Sequence, residues 1–349
     1  MNHMPEPSRE ATPLLRADQL STYYPIRRGV WNRTTGYIRA VDGVTLEVYP
    51  GETLGLVGES GCGKSTLGRT LLRLEEPHAG RIYYEGDEVT TLTERRLRPY
   101  RTHYQMIFQD PYASLNPRMT AGELVAEPLL AHRLAGKGEA LRLAHRLLEL
   151  VGLPRASAGR YPHQFSGGQR QRIGIARALA VTPKLIVCDE PVSALDVSVQ
   201  AQILHLLQDL QRELDLTYIF IAHGLGAVHY ISTRVAVMYL GTIVEIADKR
   251  ALFASPKHPY TRMLLNASPV SDPRRRGRAI LVPEGDVPSA SNPPSGCRFH
   301  TRCPIAMPRC VAEEPALTGG AHAVACHYPL GGTGEEETHG LVRRETAAR

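Results

Sequence analysis

The chain has 349 residues, enough for two domains or for one large domain with an appendage. A hydrophobic content of 42% with 22% charged residues is that of a folded globular protein and excludes disorder of the chain as a whole. Forty-one basic against 35 acidic side chains leave a formal charge of +6, which suits nucleic acid, nucleotide phosphate or an anionic membrane equally and selects none of them. No run approaches the ~18 consecutive apolar residues of a membrane-spanning helix. Met1 to Glu10 has no apolar stretch of the signal-peptide kind, so a soluble, cytoplasmic chain is expected.

Residues 1–18 are polar and mixed and read as a flexible start. From about Leu20 to Val48, β-formers such as Tyr23, Tyr24, Ile38, Val41, Val44, Leu46 and Val48 are broken by Gly29, Gly36 and Gly43, which predicts antiparallel strands and turns. Thr53 to Val57 is a short apolar strand, followed by a glycine-rich turn and a helix from about Lys64 to Leu74. Residues 121–152 read as helical, with Leu141, Leu143, Leu147, Leu148 and Leu150 at helical spacing. Leu185 to Cys188 is a strand of the buried type. The amphipathic helix after it puts Ile203, Leu206, Leu207, Leu210 and Leu214 on one face. Tyr218 to Ala222 and Val235 to Tyr239 read as further strands. Alternating strands and helices imply βαβ units and a mostly parallel sheet.

Residues 268–296 are rich in proline, serine and charge, including Arg274, Arg275, Arg276 and Arg278, and read as a linker. The arginines have two readings, a solvated linker or a contact with anionic lipid headgroups. A small cysteine-rich module at 297–330 follows, then a glycine- and glutamate-rich tail, 331–349, expected to be disordered.

Gly58-Glu59-Ser60-Gly61-Cys62-Gly63-Lys64-Ser65 fits the phosphate-loop pattern of Gly, four residues, Gly-Lys-Ser, between a strand and a helix. The glycines let backbone N–H groups turn inward toward a phosphate, and the helix N-terminus adds partial positive charge. Lys64 is expected to bridge the β- and γ-phosphates and the Ser65 hydroxyl to ligate Mg²⁺, with Thr66 beside it. Cys62 occupies a variable position and reads as a bystander. Such a site needs an apolar strand ending in an acid. Leu185-Ile186-Val187-Cys188-Asp189-Glu190 supplies one, Asp189 to hold Mg²⁺ and Glu190 to polarise the attacking water.

Between these motifs lies Phe165-Ser166-Gly167-Gly168-Gln169, and here the sequence resembles the ABC-type ATPases. The resemblance implies an α/β P-loop NTPase fold, an ABC ATPase domain over 19–267. It would combine a RecA-like core, an antiparallel β subdomain and a helical subdomain at about 110–175, with the Cys-rich part as a C-terminal extension. It further implies a head-to-tail dimer in which Ser166, Gly167, Gly168 and Gln169 reach ATP held by the partner. Tyr24 matches the aromatic that stacks on adenine, with Tyr23 one residue away as the alternative. Gln109 matches the glutamine that senses the γ-phosphate and reaches Mg²⁺. Asp196 matches the loop crossing the dimer interface, and His223 the histidine that contacts the γ-phosphate. Where the family has Asp-Leu after that histidine, this chain has Gly224-Leu225, which is expected to cost a few tenths of a kcal/mol up to about one in helix capping.

A narrower resemblance covers most of the chain. Ala40–Val44, Gly58–Gly63, Phe108–Pro117, Ala236–Gly241 and Asn292–His300 look like the oligopeptide/dipeptide (and nickel) importer ATPases of bacteria. That implies a peripheral subunit on the cytoplasmic face of the inner membrane. Its partners would be a similar ATPase subunit, two permeases and an extracytoplasmic solute-binding protein, with no nucleic acid. A soluble ABC ATPase of DNA repair or translation is the alternative, and nickel or another small solute the alternative cargo. Cys297, Cys303, Cys310 and Cys326 are separated by five, six and fifteen residues, wider than the pairs typical of structural zinc. This spacing and the Cys303-Pro304 step fit a four-cysteine iron–sulfur cluster better. The resemblance implies a [4Fe–4S] cluster, with zinc or free thiols as alternatives.

Overall fold

The computed structural model describes residues 12–29, 32–110, 112–267 and 287–331. Residues 1–11, residues 268–286 with Arg274, Arg275, Arg276 and Arg278, and the expected tail from 332 lie outside the described residues. The first half of the chain forms β1 (Leu15–Arg28), β2 (Arg33–Val48), β3 (Thr53–Val57), α1 (Lys64–Leu71), β4 (Ala79–Tyr84), β5 (Asp87–Glu88), α2 (Glu94–Leu97), α3 (Tyr100–His103), β6 (Tyr104–Ile107), α4 (Ala121–Ala131), α5 (Lys137–Leu150) and α6 (Gly167–Leu179). There follow β7 (Leu185–Asp189), α7 (Val197–Leu214), β8 (Thr217–Ile221), α8 (Leu225–Ile231), β9 (Arg234–Tyr239), β10 (Thr242–Asp248), α9 (Lys249–Ala254), α10 (Pro259–Ala267), α11 (Pro308–Ala312) and β11 (His322–Val324).

Every residue of β3, β7 and β8 is buried, as expected of strands covered on both faces. They lie in a seven-stranded sheet of order β11-β10-β9-β3-β8-β7-β6, in which β9, β3, β8, β7 and β6 run parallel and β10 pairs antiparallel with both β9 and β11. Side chains alternate between the two faces along each strand, and the core divides accordingly. Ile186, Cys188, Tyr218, Phe220, Val235 and Val237 pack with α4 to α8. Leu185, Val187, Ile219, Ile221, Ala236 and Met238 pack with α1 and the second sheet. That second sheet is antiparallel, of order β2-β1-β4-β5. The sequence reading starts the domain at residue 19, but β1 begins at Leu15, because Leu14, Leu15 and Ala17 are buried in this core.

Helices α4, α5 and α6 pack together as the helical subdomain. Thr120 starts α4 with a capping box: its hydroxyl accepts from the Glu123 N–H at 3.4 Å, and its own N–H donates to Glu123 Oε2 at 2.8 Å. In α5 the buried stripe is Ala140, Ala144 and Leu148 at i, i+4 spacing, and the expected leucines 141, 143, 147 and 150 flank it half-buried.

The Cys-rich segment is built into this architecture. β11 adds to the large sheet through Glu245↔Val324 pairing. The Glu245 carboxylate, fully buried, accepts from the N–H groups of Lys257 and His258 at 2.7 and 2.9 Å and meets His322 Nε2 at 2.6 Å. Phe299 is 1% exposed, with its ring centroid 5.3 Å from those of Tyr239 and Tyr260. The buried Arg298 donates to the Leu240 carbonyl at 2.6 Å and to Asp42 of β2. Of the expected linker, residues 287–296 are described, and the Arg39 N–H donates to the Ala290 carbonyl at 3.0 Å, so this stretch lies along β2. Phe299→Ala is expected to lower the stability of the whole ATPase domain by about 3 to 5 kcal/mol within one cooperative denaturant transition. A separate early transition, with the main one unmoved, would show the module to be independent.

Candidate active site

Parallel strands carry their C-terminal ends to one edge, where open α/β sheets place their ligands. β3 delivers the phosphate loop, β6 delivers Gln109, β7 delivers Asp189 and Glu190, and β8 delivers His223. The loop needs glycine where it is tightest. Gly63 has φ +106°, and a β-carbon there would lie 1.9 Å from the Ala40 carbonyl oxygen. Lys64, 4% exposed, folds back to donate to the carbonyls of Gly58 at 2.8 Å and Glu59 at 3.0 Å. Ser60 and Gly61 are exposed, and Thr66 is half-buried at the start of α1. Cys62 is buried against Gly58, and burial holds its thiol above the ordinary value, which fits a bystander rather than a nucleophile.

Ser65 and Asp189 meet: the hydroxyl donates to Asp189 Oδ1 at 2.7 Å. Asp189 is fully buried, and among the described residues its Oδ2 has no hydrogen-bond partner, with Arg69 Nη2 at 3.9 Å. A buried carboxylate oxygen left open beside a hydroxyl is a donor set suited to a hard divalent cation such as Mg²⁺. Three elements converge on Glu190, which is 5% exposed. His223 Nε2 lies 2.6 Å from Oε1, and Gln109 Nε2 donates to Oε2 at 2.9 Å. Glu190 has φ +47°, in the left-handed region that side chains avoid, and its N–H donates to the Ile221 carbonyl at 3.0 Å. Strain of this kind, of order 1–3 kcal/mol, persists where surrounding contacts over-determine the backbone.

Ser166 to Gln169 form a separate feature in which Ser166 and Gly167 are exposed, Gln169 half-buried and Gly168 buried. Ser166 caps α6: its hydroxyl accepts from the Gln169 N–H at 3.3 Å, and its N–H donates to Gln169 Oε1 at 3.1 Å. Gly168 leaves no room for a β-carbon, which would lie 2.4 Å from the Val199 side chain, so the signature packs on the start of α7. Asp196 caps that helix, accepting from the Val199 N–H at 3.0 Å and the Ser198 hydroxyl at 2.7 Å. The Ser198 hydrogen bond, with the Val199 N–H next, holds the Asp196 carboxyl below its usual range. Tyr23 and Tyr24 face opposite sides of β1. Tyr23 is taken up by a hydrogen bond to Asp42 and by the His78 ring at 4.7 Å, which leaves Tyr24 uncommitted.

Two contacts on the loop come from residues that the sequence motifs do not mark. The buried Tyr260 hydroxyl accepts from the Glu59 N–H at 2.8 Å. Arg302 meets the Glu59 carboxylate with both terminal nitrogens, at 2.8 and 3.1 Å. No local pattern links positions so far apart in the chain.

The four cysteines share one small module without forming a coordination set. Burial first, and then the other thiols, raise Cys303 to about 11 and Cys326 to about 12, and Cys297 moves the same way. Among the described residues no group of three or more His, Cys, Asp or Glu is arranged to hold a metal ion.

Residues 41–193 match the ABC transporter family, and residues 244–310 match the oligopeptide/dipeptide transporter C-terminal region. The oligopeptide transport ATP-binding protein AppF of Bacillus subtilis is 51% identical over 320 residues, 90% of this chain and 97% of the relative. This chain belongs to the ABC transporter ATP-binding proteins. The protein named "Probable peptide ABC transporter ATP-binding protein y4tS" of Sinorhizobium fredii is 53% identical over 316 residues, 90% of this chain and 89% of the relative. Among solved structures, the ATP-binding cassette MJ0796, in a dimeric post-hydrolysis state bound to ADP and Pi, has a TM-score of 0.61 at 28% identity. It covers 68% of this chain and 99% of that one. The ATPase thus has the expected α/β fold, with the antiparallel sheet and the helical subdomain as separate layers.

Gly224 takes the N-cap place of α8 with no side-chain hydrogen bond, in extended backbone (φ −82°, ψ 114°) and with open space at its β-carbon. Gly224→Asp in this ABC subunit is therefore expected to stabilise it by a few tenths of a kcal/mol, with ATPase rate unchanged. A shift of the denaturant midpoint toward lower concentration would contradict the open geometry.

Proposed function

We propose that this chain is the ATP-hydrolysing subunit of a bacterial importer that takes up oligopeptides or dipeptides. The observation that carries the cargo reading is the oligopeptide/dipeptide C-terminal region at 244–310, joined to an ATPase whose relatives bear peptide-transport names. Among the described residues no helix is long and apolar enough to cross a membrane. The reading assigns that task to two permeases, with a solute-binding protein outside, a similar ATPase subunit as partner and this chain on the cytoplasmic face.

In the mechanism, the phosphate loop from Gly58 to Ser65 wraps the β- and γ-phosphates, and Lys64 exchanges its carbonyl contacts for them. Ser65 and Asp189 would hold Mg²⁺, which neutralises charge on the phosphates when bound. Glu190 orients the attacking water and accepts its proton, while His223 and Gln109 fix its carboxylate and reach toward the γ-phosphate. Tyr24 stacks on the adenine. Ser166 and Gly168 act on ATP held by the facing subunit, helped by the N-terminus of α6. Support for an interface there comes from the exposed Asp196 turn and from Val197, 82% exposed. Closure of the two subunits then passes through the Gln109 segment to the permease, with γ-phosphate contacts as the lever.

A [4Fe–4S] cluster, or zinc, on Cys297, Cys303, Cys310 and Cys326 is supported by their gathering in one module, where neighbouring thiols disfavour ionisation of Cys303 and Cys326. Those four thiols would hold the group as thiolates, whose charge a bound cation would offset. Anaerobically purified protein is expected to carry iron and sulfide. Zinc alone would replace the cluster by the zinc reading, and neither metal would leave free thiols.

Glu190→Gln is expected to bind ATP while its turnover falls by about 10²- to 10⁴-fold in the complex reassembled with permeases. An unchanged steady-state rate would remove Glu190 from its role. Co-purification of permease subunits is the expected outcome of a pull-down, and nucleic acid in their place would overturn the importer reading.

A further inference from the structure

Glu59 is the single acid in the phosphate loop, a segment that has to accept a polyanion. All three of its polar groups are tied. The N–H donates to the Tyr260 hydroxyl at 2.8 Å, the carbonyl accepts from Lys64 Nζ at 3.0 Å, and the carboxylate is gripped by Arg302 at 2.8 and 3.1 Å. The grip has the two-pronged form in which guanidinium and carboxylate bind most specifically. The Arg302 side chain is 6% exposed and that of Glu59 25%, so the pair is partly screened from solvent and salt. Arg302 Nη1 also reaches the Tyr239 hydroxyl at 3.4 Å, from the strand beside β3. Hydrogen bonding to Glu59, more than any other contact, holds the Arg302 guanidinium further toward its charged form. Arg302 directly precedes Cys303 and follows the turn in which His300 Nδ1 lies 2.9 Å from the Cys297 carbonyl, so its position is set by the Cys-rich module.

We propose that Arg302 is a positioning residue for ATP binding: it masks the Glu59 charge and holds the carboxylate aside, so that docking of the Cys-rich module sets the nucleotide affinity of the phosphate loop. Without Arg302, a freed carboxylate in the loop repels the triphosphate. Coupling of this kind is reciprocal, so bound nucleotide strengthens docking of the module in turn. The proposal rests on the phosphate loop binding ATP.

The test is equilibrium binding of Mg-ATP to the full chain. Arg302→Met is expected to raise Kd about tenfold, equivalent to ~1.4 kcal/mol. In the assembled transporter KM should rise with Kd, while kcat stays within about twofold. The deciding comparison is the same substitution made beside Glu59→Gln. With no carboxylate to mask, the loss from Arg302→Met should shrink to within about twofold of Glu59→Gln alone. An equal loss in both backgrounds, or no loss in either, overturns the proposal, the first because Arg302 would then only brace the fold. Should Arg302→Met be too unstable to assay, Arg302→Lys is read in its place. It keeps the charge without the fork, so a loss of about threefold should again vanish beside Glu59→Gln. Parent protein that binds no Mg-ATP fails the underlying ATPase reading, whereas normal parent binding with an unmoved Kd in the variants fails this inference alone.

Discussion

The parallel pairing of β3 with β8, β8 with β7 and β7 with β6 decides where every polar group of the site can be. Because these strands share one direction, their C-terminal ends open at one edge, and four short loops deliver the phosphate loop, Asp189 with Glu190, His223 and Gln109 side by side. The strands tolerate this arrangement only by being buried on both faces, which requires covering layers above and below. Those layers are the helical subdomain and the second sheet, so the two halves of the core exist to bury the same set of strands. The strain at Glu190 is bearable for the same reason: its N–H is anchored to the Ile221 carbonyl across the sheet, and its carboxylate is held from two sides.

Much of this was legible in the residues. Continuous apolar runs at 53–57, 185–188 and 218–222 mark strands buried on both faces, and the loop of glycines before Lys64 fixes where a phosphate would bind. Ser166 and Asp196 were equally readable, and both double as helix caps, so local chemistry and proposed role coincide. Periodicity misled modestly in α5, where of the leucines read at helical spacing only Leu148 lies in the buried stripe, beside the small Ala140 and Ala144. Close helix packing favours the smaller side chain at the contact, and a hydrophobicity pattern does not weigh size. That Tyr23 is engaged within its own sheet was also beyond a linear reading. It depends on Asp42 and His78, which the strand brings to one face only.

The largest difference lies at the C-terminal end. Composition marks residues from 297 as a module, and cysteine spacing suggests a metal-binding appendage beyond a linker. Physically the module is an edge of the ATPase. β11 extends its sheet, Phe299 enters its core, and Arg298 and Arg302 reach β2 and the phosphate loop. Sequence reasoning misses this because each contact joins residues some 40 to 260 positions apart, with no repeat or motif to tie them. The cysteines themselves remain close enough to feel one another without forming a coordination set.

The anchoring of Glu59 also orders events during synthesis. Lys64 and the glycines leave the ribosome early, yet Tyr260 and Arg302, which fasten the loop from outside, emerge some 200 and 240 residues later. Domains form from the N-terminal end as the chain is made. A nascent chain therefore has a phosphate loop long before that loop has its braces, and only a chain that extends past Arg302 can present it in its fastened form. A chain that stops short of Tyr260 has the glycines and Lys64 of the loop without either brace.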